Sequence, residues 1–365
     1  MNLADCRKKI DQIDVELVRL LNERARVVLQ VGRLKRGARS QLYYVPHRER
    51  QVLANVIGAN KGPLPDRALE AIWREIMSAS LAIEKPIRVA FLGPEATFAH
   101  IAALSKFGQS VEYAPLRSIG AVFAETMAGD ADYGVVPVEN STEGNVAETL
   151  DMFLEHRLKV CAEIRLPIHH SLLARCSLKQ VRRVVSRPIA VAQCRSWLTA
   201  NLPKAEIVDA DSTASAAQVA ARLPNAAAIA HRGAAELYGL KVLAENIEDR
   251  RNNVTRFFVI GPEMSTEPTG RDKTALLFAV KHKPGSLCDA LVPFKRNLVN
   301  ITVLQSRPFR QRSWEYYFFV EVQGHCQELR MKRLLKDLNT HCTYLQVLGS
   351  FPVADDEESA RRKTS

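Results

Sequence analysis

Between positions 3 and 34 the apolar residues fall at steps of three and four, through Leu3, Cys6, Ile10, Ile13, Leu17, Leu20, Val27, Val31 and Leu34. A single long helix puts all of them on one stripe, and such a stripe must be covered by something. Two shorter helices follow, one over 48–57 and one from Asp66, an N-cap candidate after Pro65, to Ile83. The turn Asn60-Lys61-Gly62-Pro63-Leu64-Pro65 separates them, and Pro86 ends the helical block. A long stripe with only two short partners invites an intertwined dimer.

After Pro86 the pattern changes to strands alternating with helices. Residues 87–92 read as a buried strand followed by Gly93-Pro94 and an Ala-rich helix, and 133–138, 226–230 and 256–260 read as further strands. This α/β segment ends near Gly261, and 265–270, rich in Thr, Pro and Gly, is a linker. The last segment orders as strand 275–280, helix 286–297, strand 300–305, strand 314–323, helix 327–339 and strand 344–348. That βαββαβ order is the ferredoxin-like α+β pattern. The expected domains are therefore an all-α 1–85, an α/β 87–262 and an α+β 272–351, with a charged, disordered tail at 352–365. A length of 365 residues fits two or three domains.

The chain carries 51 Lys+Arg against 40 Asp+Glu, a net charge of +11. Of this excess +6 lies in the first 85 residues, but it forms neither a tail nor a basic stripe. That points away from nucleic acid and toward clefts for small anionic substrates. Seven cysteines without a CxxC pair argue against a disulfide framework or a zinc site. The first nine residues lack the apolar core of a signal peptide, and there is no run of 18 apolar residues. The expectation is a cytoplasmic protein with no membrane contact and no metal.

Arg24 interrupts the apolar stripe. An unpaired buried guanidinium is costly, so it should face an anion, either a carboxylate such as Asp14 or Glu23 or a ligand. Lys35 lies eleven residues on, roughly 16 Å along the helix, and two long side chains could straddle one small dianion. Arg7, roughly 25 Å before Arg24, reaches that ligand only from another chain.

With CRKKIDQID around Arg7, LLNERARV around Arg24, VGRLK ending at Lys35 and PHRERQVL holding Arg48 and Glu49, residues 1–85 resemble the all-helical chorismate mutases. The resemblance implies a dimer in which Arg7 crosses into the partner's site. It adds Ser80 and Glu84, four apart on one face of the third helix, to the same pocket. Chorismate to prephenate is a unimolecular rearrangement that needs no cofactor. The site must hold two carboxylates in a folded conformer and stabilise charge on the breaking ether oxygen. By this resemblance Arg7, Arg24 and Arg48 hold carboxylates, Lys35 donates to the ether oxygen, and Glu49 accepts from the ring hydroxyl. Glu84 stands where some relatives have Gln, and a carboxyl donates only when protonated, a form that desolvation favours. Mutase turnover is then expected to fall as pH rises. Val45 stands where some relatives place a polar residue.

AFLGPEATFA (90–99), VPVENSTEG (136–144), AQCRSWL (192–198), DSTASAA (211–217) and EDRRNNVTRFFVIG (248–261) resemble prephenate dehydratases. The resemblance implies two α/β subdomains with a cleft between them. Glu139-Asn140-Ser141 follows one strand and Asn253-Val254-Thr255 precedes another, and strand ends commonly line such clefts. Taken singly, Asn140 or Asn253 reads as readily as a turn residue. Prephenate becomes phenylpyruvate by losing carbon dioxide and its ring hydroxyl, driven by aromatisation. By the resemblance Thr255 is the donor to the departing hydroxyl, through a positioned hydrogen bond because its own hydroxyl is too weak an acid to ionise. Asn140 and Gln193 add neutral donors, and Thr97, Glu139 and Ser186 shape the pocket. Arg256 is structural or faces a carboxylate. The chain departs from the family pattern at Ala96 and Ala99, and at Arg187 and Ile189 where relatives have His and Gln. Arg187 could meet a carboxylate instead. His169-His170 has no metal-ligand spacing partner.

KPGSLCDAL (283–291) and NITVLQSRP (300–308) resemble the ACT domains of phenylalanine-regulated enzymes. The helix N-terminus at Gly285-Ser286 offers N–H groups to a carboxylate, and Leu287 an apolar wall. Asn300, Gln305, Ser306, Arg307 and Pro308 complete the implied effector set, Gln305 standing for the usual Glu. A ligand-free dimerisation module is the other reading. The whole chain thus resembles the bifunctional chorismate mutase–prephenate dehydratases, with phenylalanine as feedback inhibitor. The rivals are the same architecture with one inactive module or arogenate preference, and a non-catalytic sensor of aromatic metabolites. Thr255, Asn140 and the basic set of the first segment argue against the sensor.

Overall fold

The computed structural model describes residues 2–36, 44–250, 252–264, 267–308 and 316–354. They fall into two compact units, one running through Ile87 and including Phe107–Glu112, the other holding the rest. Ser265 of the expected linker, Trp314 at the start of an expected strand and the expected disordered tail beyond residue 354 lie outside the described residues.

In the first unit the helices are Leu3–Arg36, Pro46–Ala59 and Asp66–Glu84. Asp66 is not the N-cap: Pro65 holds that position, and Asp66 accepts from the Asn60 side chain at 2.7 Å from inside the first turn. The first helix is 34 residues, about 50 Å long. Its stripe is bare along its length, with Leu3, Ile10, Ile13, Leu17, Leu20, Val27, Val31 and Leu34 all exposed. Near its C-terminal end it meets the third helix, where Gly32 permits the approach: a Cβ there would lie 2.8 Å from Glu84 Cγ. Phe107–Glu112 completes the unit, its Gln109 and Ser110 N–H groups donating to Glu75 and Ser78 at 3.0 Å each.

The second unit contains two lobes and a third sheet. The first lobe's sheet orders Glu112–Leu116, Arg88–Leu92, Tyr133–Asn140, Val254–Gly261 and Lys159–Pro167, with Gly144–Asn145 paired beside Tyr133–Asn140. The second lobe's sheet orders Lys241–Ala244, Ser171–Ala174, Ala226–Ala230, Arg183–Ser186 and Glu206–Asp209. Lys159–Pro167 escapes a reading by hydropathy because Glu163, buried, sits in its middle. The chain crosses between lobes at 168–170 and at 245–253, and the crossings are tied together: Ile168 N–H donates to Asn253 O (2.8 Å) and Ile247 N–H to His170 O (2.9 Å).

The C-terminal strands order Ile301–Pro308, Tyr316–Gln323, Asp272–Ala279, Tyr344–Pro352, all antiparallel, with helices Ser286–Arg296 and Leu329–His341 between them in sequence. This is the ferredoxin-like order expected. Both faces of the sheet are covered. Leu276, Phe278, Phe318, Val320 and Val322 pack against the two helices, while Ala275, Leu277, Tyr317, Phe319 and Phe351 join the core of the first lobe. Alternation along a strand makes this division, and it explains why Tyr317–Val322 is buried without interruption.

Glu321 falls on the lobe-facing side with Tyr317 and Phe319. There Arg256 bonds to Glu139 (2.6 Å), Glu163 (2.7 Å) and Glu321 (2.8 Å), and Lys273 to Glu163 (3.0 Å). Burial opposes the charge on Glu163, but Arg256 and Lys273 outweigh it and lower its pKa; for Glu321 burial wins and the pKa is raised. Removing one member of such a cluster strands the others. We expect Glu321→Ala to destabilise this unit by about 3–5 kcal/mol, read as a lower urea midpoint. Ala96 sits at φ 62°, where only glycine is unstrained. Ala96→Gly should raise stability by up to about 1 kcal/mol, and a lower melting temperature would refute that strain.

Candidate active sites

In the helical unit the first and third helices bring four of the expected residues together. Arg24 donates to Ser80 Oγ, which itself donates to Ile76 O at 2.6 Å. Lys35 Nζ lies 3.0 Å from a Glu84 carboxylate oxygen, without hydrogen-bond alignment. The self-contained ion pair considered for Arg24 is not made with Glu23, which is taken by Arg19 (3.0 Å). Burial, and then the charge of neighbouring Arg48, lower the Arg24 pKa. Two guanidiniums so placed form a site for an anion. Arg48 bonds to Gln51 (2.5 Å), and Glu49 accepts from the buried Tyr44 hydroxyl (2.9 Å). Arg7 stands exposed on the first helix, about 25 Å from Arg24.

In the two-lobed unit, the site is set by strand register. Thr255 pairs with Asn140 and Arg256 with Glu139 across the antiparallel ladder. Asn140 Nδ2 donates to Thr255 Oγ1 (2.7 Å) and to Asn253 Oδ1 (2.9 Å). Its Oδ1 accepts from the Thr142 and Glu143 backbone N–H groups at 2.9 and 3.1 Å. Gln193, at the end of the second lobe's helix Pro188–Gln193, accepts from Asn253 (3.2 Å) and donates to Thr142 Oγ1 (3.0 Å). The three residues expected to donate to substrate therefore belong to one network spanning both lobes.

Other expected residues lie elsewhere. Glu139 faces Arg256 in the ionic cluster. Ser186 is fully buried and donates to Ile229 O (2.8 Å), and Thr97 donates to Leu92 O (2.9 Å). Both hydroxyls hold backbone. Arg187 is exposed at the start of its helix. Asn253, expected at a strand end, is a member of the network, and so is Thr142, which neither spacing nor charge would single out. His170, joined to Gln193 at 2.8 Å, is another without a signal in the sequence.

In the C-terminal sheet, Ser286 and Leu287 line a shallow cavity with Lys281, His282, Lys283 and Tyr316. Gly285, at φ 82°, caps the helix beside them. Arg307 is engaged by Asp151, its Nη2 reaching both carboxylate oxygens at 3.1 and 3.2 Å beside the Tyr317 hydroxyl. Gln305, Ser306 and Pro308 lie on the edge strand with it; none of them lines that cavity, but Ser306 and Pro308 pair across the ladder with Phe318 and Tyr316, which do, and Asn300 is exposed just before that strand.

Comparison with known proteins identifies the family. Residues 89–265 match the prephenate dehydratase family and residues 6–85 the chorismate mutase type II family. A bifunctional chorismate mutase/prephenate dehydratase from Aquifex aeolicus is 46% identical over 357 residues, 96% of this chain and 98% of that protein. Among solved structures, a prephenate dehydratase from Arthrobacter aurescens in complex with L-Phe is 31% identical, with a TM-score of 0.67 over 76% of this chain and 98% of that one. GqqA, described as a novel type of quorum quenching acylase, is 28% identical with a TM-score of 0.68 over 73% of this chain and 98% of that one. Likeness along the full length, through both catalytic segments and in the same order, means that the chain belongs to the bifunctional chorismate mutase/prephenate dehydratase family.

Proposed function

We propose that the helical unit rearranges chorismate to prephenate and that the two-lobed unit converts prephenate to phenylpyruvate, carbon dioxide and water. The observation that carries the second step is the bond from Asn140 to Thr255. Because Thr255 Oγ1 accepts from Asn140, its own O–H is directed elsewhere and can donate to the departing ring hydroxyl. As the carboxylate carbon leaves, the electron pair of its bond completes the aromatic ring and the hydroxyl departs with a proton as water. Gln193 and Asn140 orient the substrate, and exclusion of water strengthens each of these bonds.

For the first step, Arg24 and Arg48 hold the carboxylates, Ser80 fixes the Arg24 fork, and Lys35 with Glu84 addresses the ether oxygen. Glu49, held by Tyr44, accepts from the ring hydroxyl. Arg7 completes the site from a second copy of the chain, and the bare stripe of the first helix supports that homodimer. The active site then holds cations from two chains around one dianion.

The C-terminal sheet, bounded near 272–351, acts as an ACT regulatory domain. Its cavity offers Ser286 at a helix N-terminus to a carboxylate, Lys281 and Lys283 beside it, and Leu287 to a side chain. Phenylalanine is the proposed feedback inhibitor, a reading supported by the L-Phe complex of the Arthrobacter aurescens relative. The remaining bounds are 1–85 and 87–262, and the location is cytoplasmic. Acyl transfer is the weaker reading. It needs an activated nucleophile, yet burial pushes the Cys161 thiol up to about 12 and Thr255 receives a donor where a base would have to be.

Thr255→Ala is predicted to lower dehydratase kcat by at least about 100-fold while leaving mutase turnover intact; retained phenylpyruvate formation would remove Thr255 from this role. Calorimetry with phenylalanine should give saturable binding that weakens in Ser286→Pro, and absence of heat with the wild-type chain would dismiss the regulatory reading.

A further inference from the structure

The amides beneath Thr255 close into a ring whose polarity follows from two backbone groups. Thr142 and Glu143 present N–H donors to one end of the Asn140 amide, so that end is oxygen and the other is nitrogen. Asn140 Nδ2 therefore donates to Asn253, whose near atom must be its oxygen. The Asn253 nitrogen then donates to Gln193 Oε1, leaving the Gln193 nitrogen to donate to Thr142 Oγ1. Thr142 Oγ1 passes its own proton to Asn140 Oδ1 at 2.6 Å, and the circle closes. A ring running the other way would need Thr142 N–H to accept.

His170 meets this ring from outside. It is 2% exposed, its Nε2 lies 2.8 Å from Gln193 Oε1, and Nδ1 has no partner among the described residues. Since Gln193 Oε1 is already fixed as an acceptor, Nε2 must carry the ring proton. Burial lowers the His170 pKa and keeps the ring neutral, so one proton is all it holds. Its backbone is pinned at both ends by the second crossing: His170 N–H donates to Glu248 (2.9 Å) and its carbonyl accepts from Ile247 (2.9 Å).

We infer that Thr142 and His170 are positioning residues for dehydration, which hold the Gln193 amide in one place and one orientation for the substrate beside Thr255. Neither touches the reacting atoms. Thr142 supplies the one hydroxyl that can both accept from Gln193 and donate to Asn140, and His170 occupies the second lone pair of Gln193 Oε1. Without the Thr142 hydroxyl the Gln193 nitrogen loses its acceptor and Asn140 Oδ1 loses one of its three donors. The ring then opens and Gln193 is no longer held at that end, while Asn140 itself stays oriented by the Thr142 and Glu143 N–H groups. The inference rests on the dehydratase reading above and extends it to residues at the hinge between lobes.

The test uses the full-length chain and follows prephenate and phenylpyruvate separately. Thr142→Val and His170→Leu should each lower dehydratase kcat by roughly 10–100-fold with the prephenate KM changed by less than about threefold. Thr142→Ser and His170→Gln, which restore a hydroxyl and an Nε2 donor, should recover most of the loss. The double variant Thr142→Val/His170→Leu should lose less than the product of the two singles, because both act on one amide. Thr142 is exposed, so Thr142→Val should keep the wild-type melting temperature. Unchanged kcat in Thr142→Val, a loss confined to KM, or restoring variants as impaired as the disruptive ones would overturn the inference. A wild-type chain that makes no phenylpyruvate defeats the dehydratase reading itself, and with it this one.

Discussion

The register between Tyr133–Asn140 and Val254–Gly261 governs the two-lobed unit. It sets Thr255 opposite Asn140 and, one residue on, Arg256 opposite Glu139. Successive residues of a strand point to opposite faces. One cross-strand pair therefore enters the amide network, and the next enters the buried ionic cluster that reaches Glu321 and Lys273 of the C-terminal sheet. A slip of one residue would exchange the two faces, placing charge in the network and a hydroxyl in the cluster. The cluster penalises that slip heavily, since each buried charge depends on partners held in place by the same ladder.

The same ladder joins chemistry to regulation in the proposed scheme. Arg256 neighbours Thr255 in sequence and touches Glu321 on the C-terminal sheet, whose opposite face carries the two helices and the proposed effector cavity. An effector that shifts this sheet changes the surroundings of Arg256 without travelling through solvent. The bidentate Arg307–Asp151 bond, with the Tyr317 hydroxyl beside it, is a second anchor between the same sheet and the first lobe.

In the helical unit the governing fact is an imbalance. The first helix has apolar surface along its whole length and partners along part of it. The cations are distributed likewise: Arg24, Arg48 and Lys35 gather near the third helix, and Arg7 stands at the far end. In the proposed homodimer a second copy lying along the first helix covers this stripe and takes Arg7 to its partner's site.

Much of this was legible in the sequence. Steps of three and four gave the long helix, the βαββαβ order gave the last segment, and the motifs around Arg24, Asn140 and Thr255 gave the residues the folded chain gathers. Local signals suffice there because helix faces and strand alternation are properties of neighbouring residues. The strand Lys159–Pro167 was hidden because its buried Glu163 is tolerable only beside Arg256 and Lys273, residues about a hundred positions away. Asp66 looked like a cap, but Pro65 already holds the extended conformation that a cap requires. Arg307 looked like an effector contact, and only packing reveals Asp151 in front of it. The sequence by itself determined which side chains could do acid, base or anion-holding work, since that is fixed by their chemistry. The tertiary structure decided which way each hydrogen bond runs. The Thr142 and Glu143 N–H groups, two and three residues on, choose for Asn140, but Asn253, Gln193 and His170 take their directions only from being brought against it from distant segments.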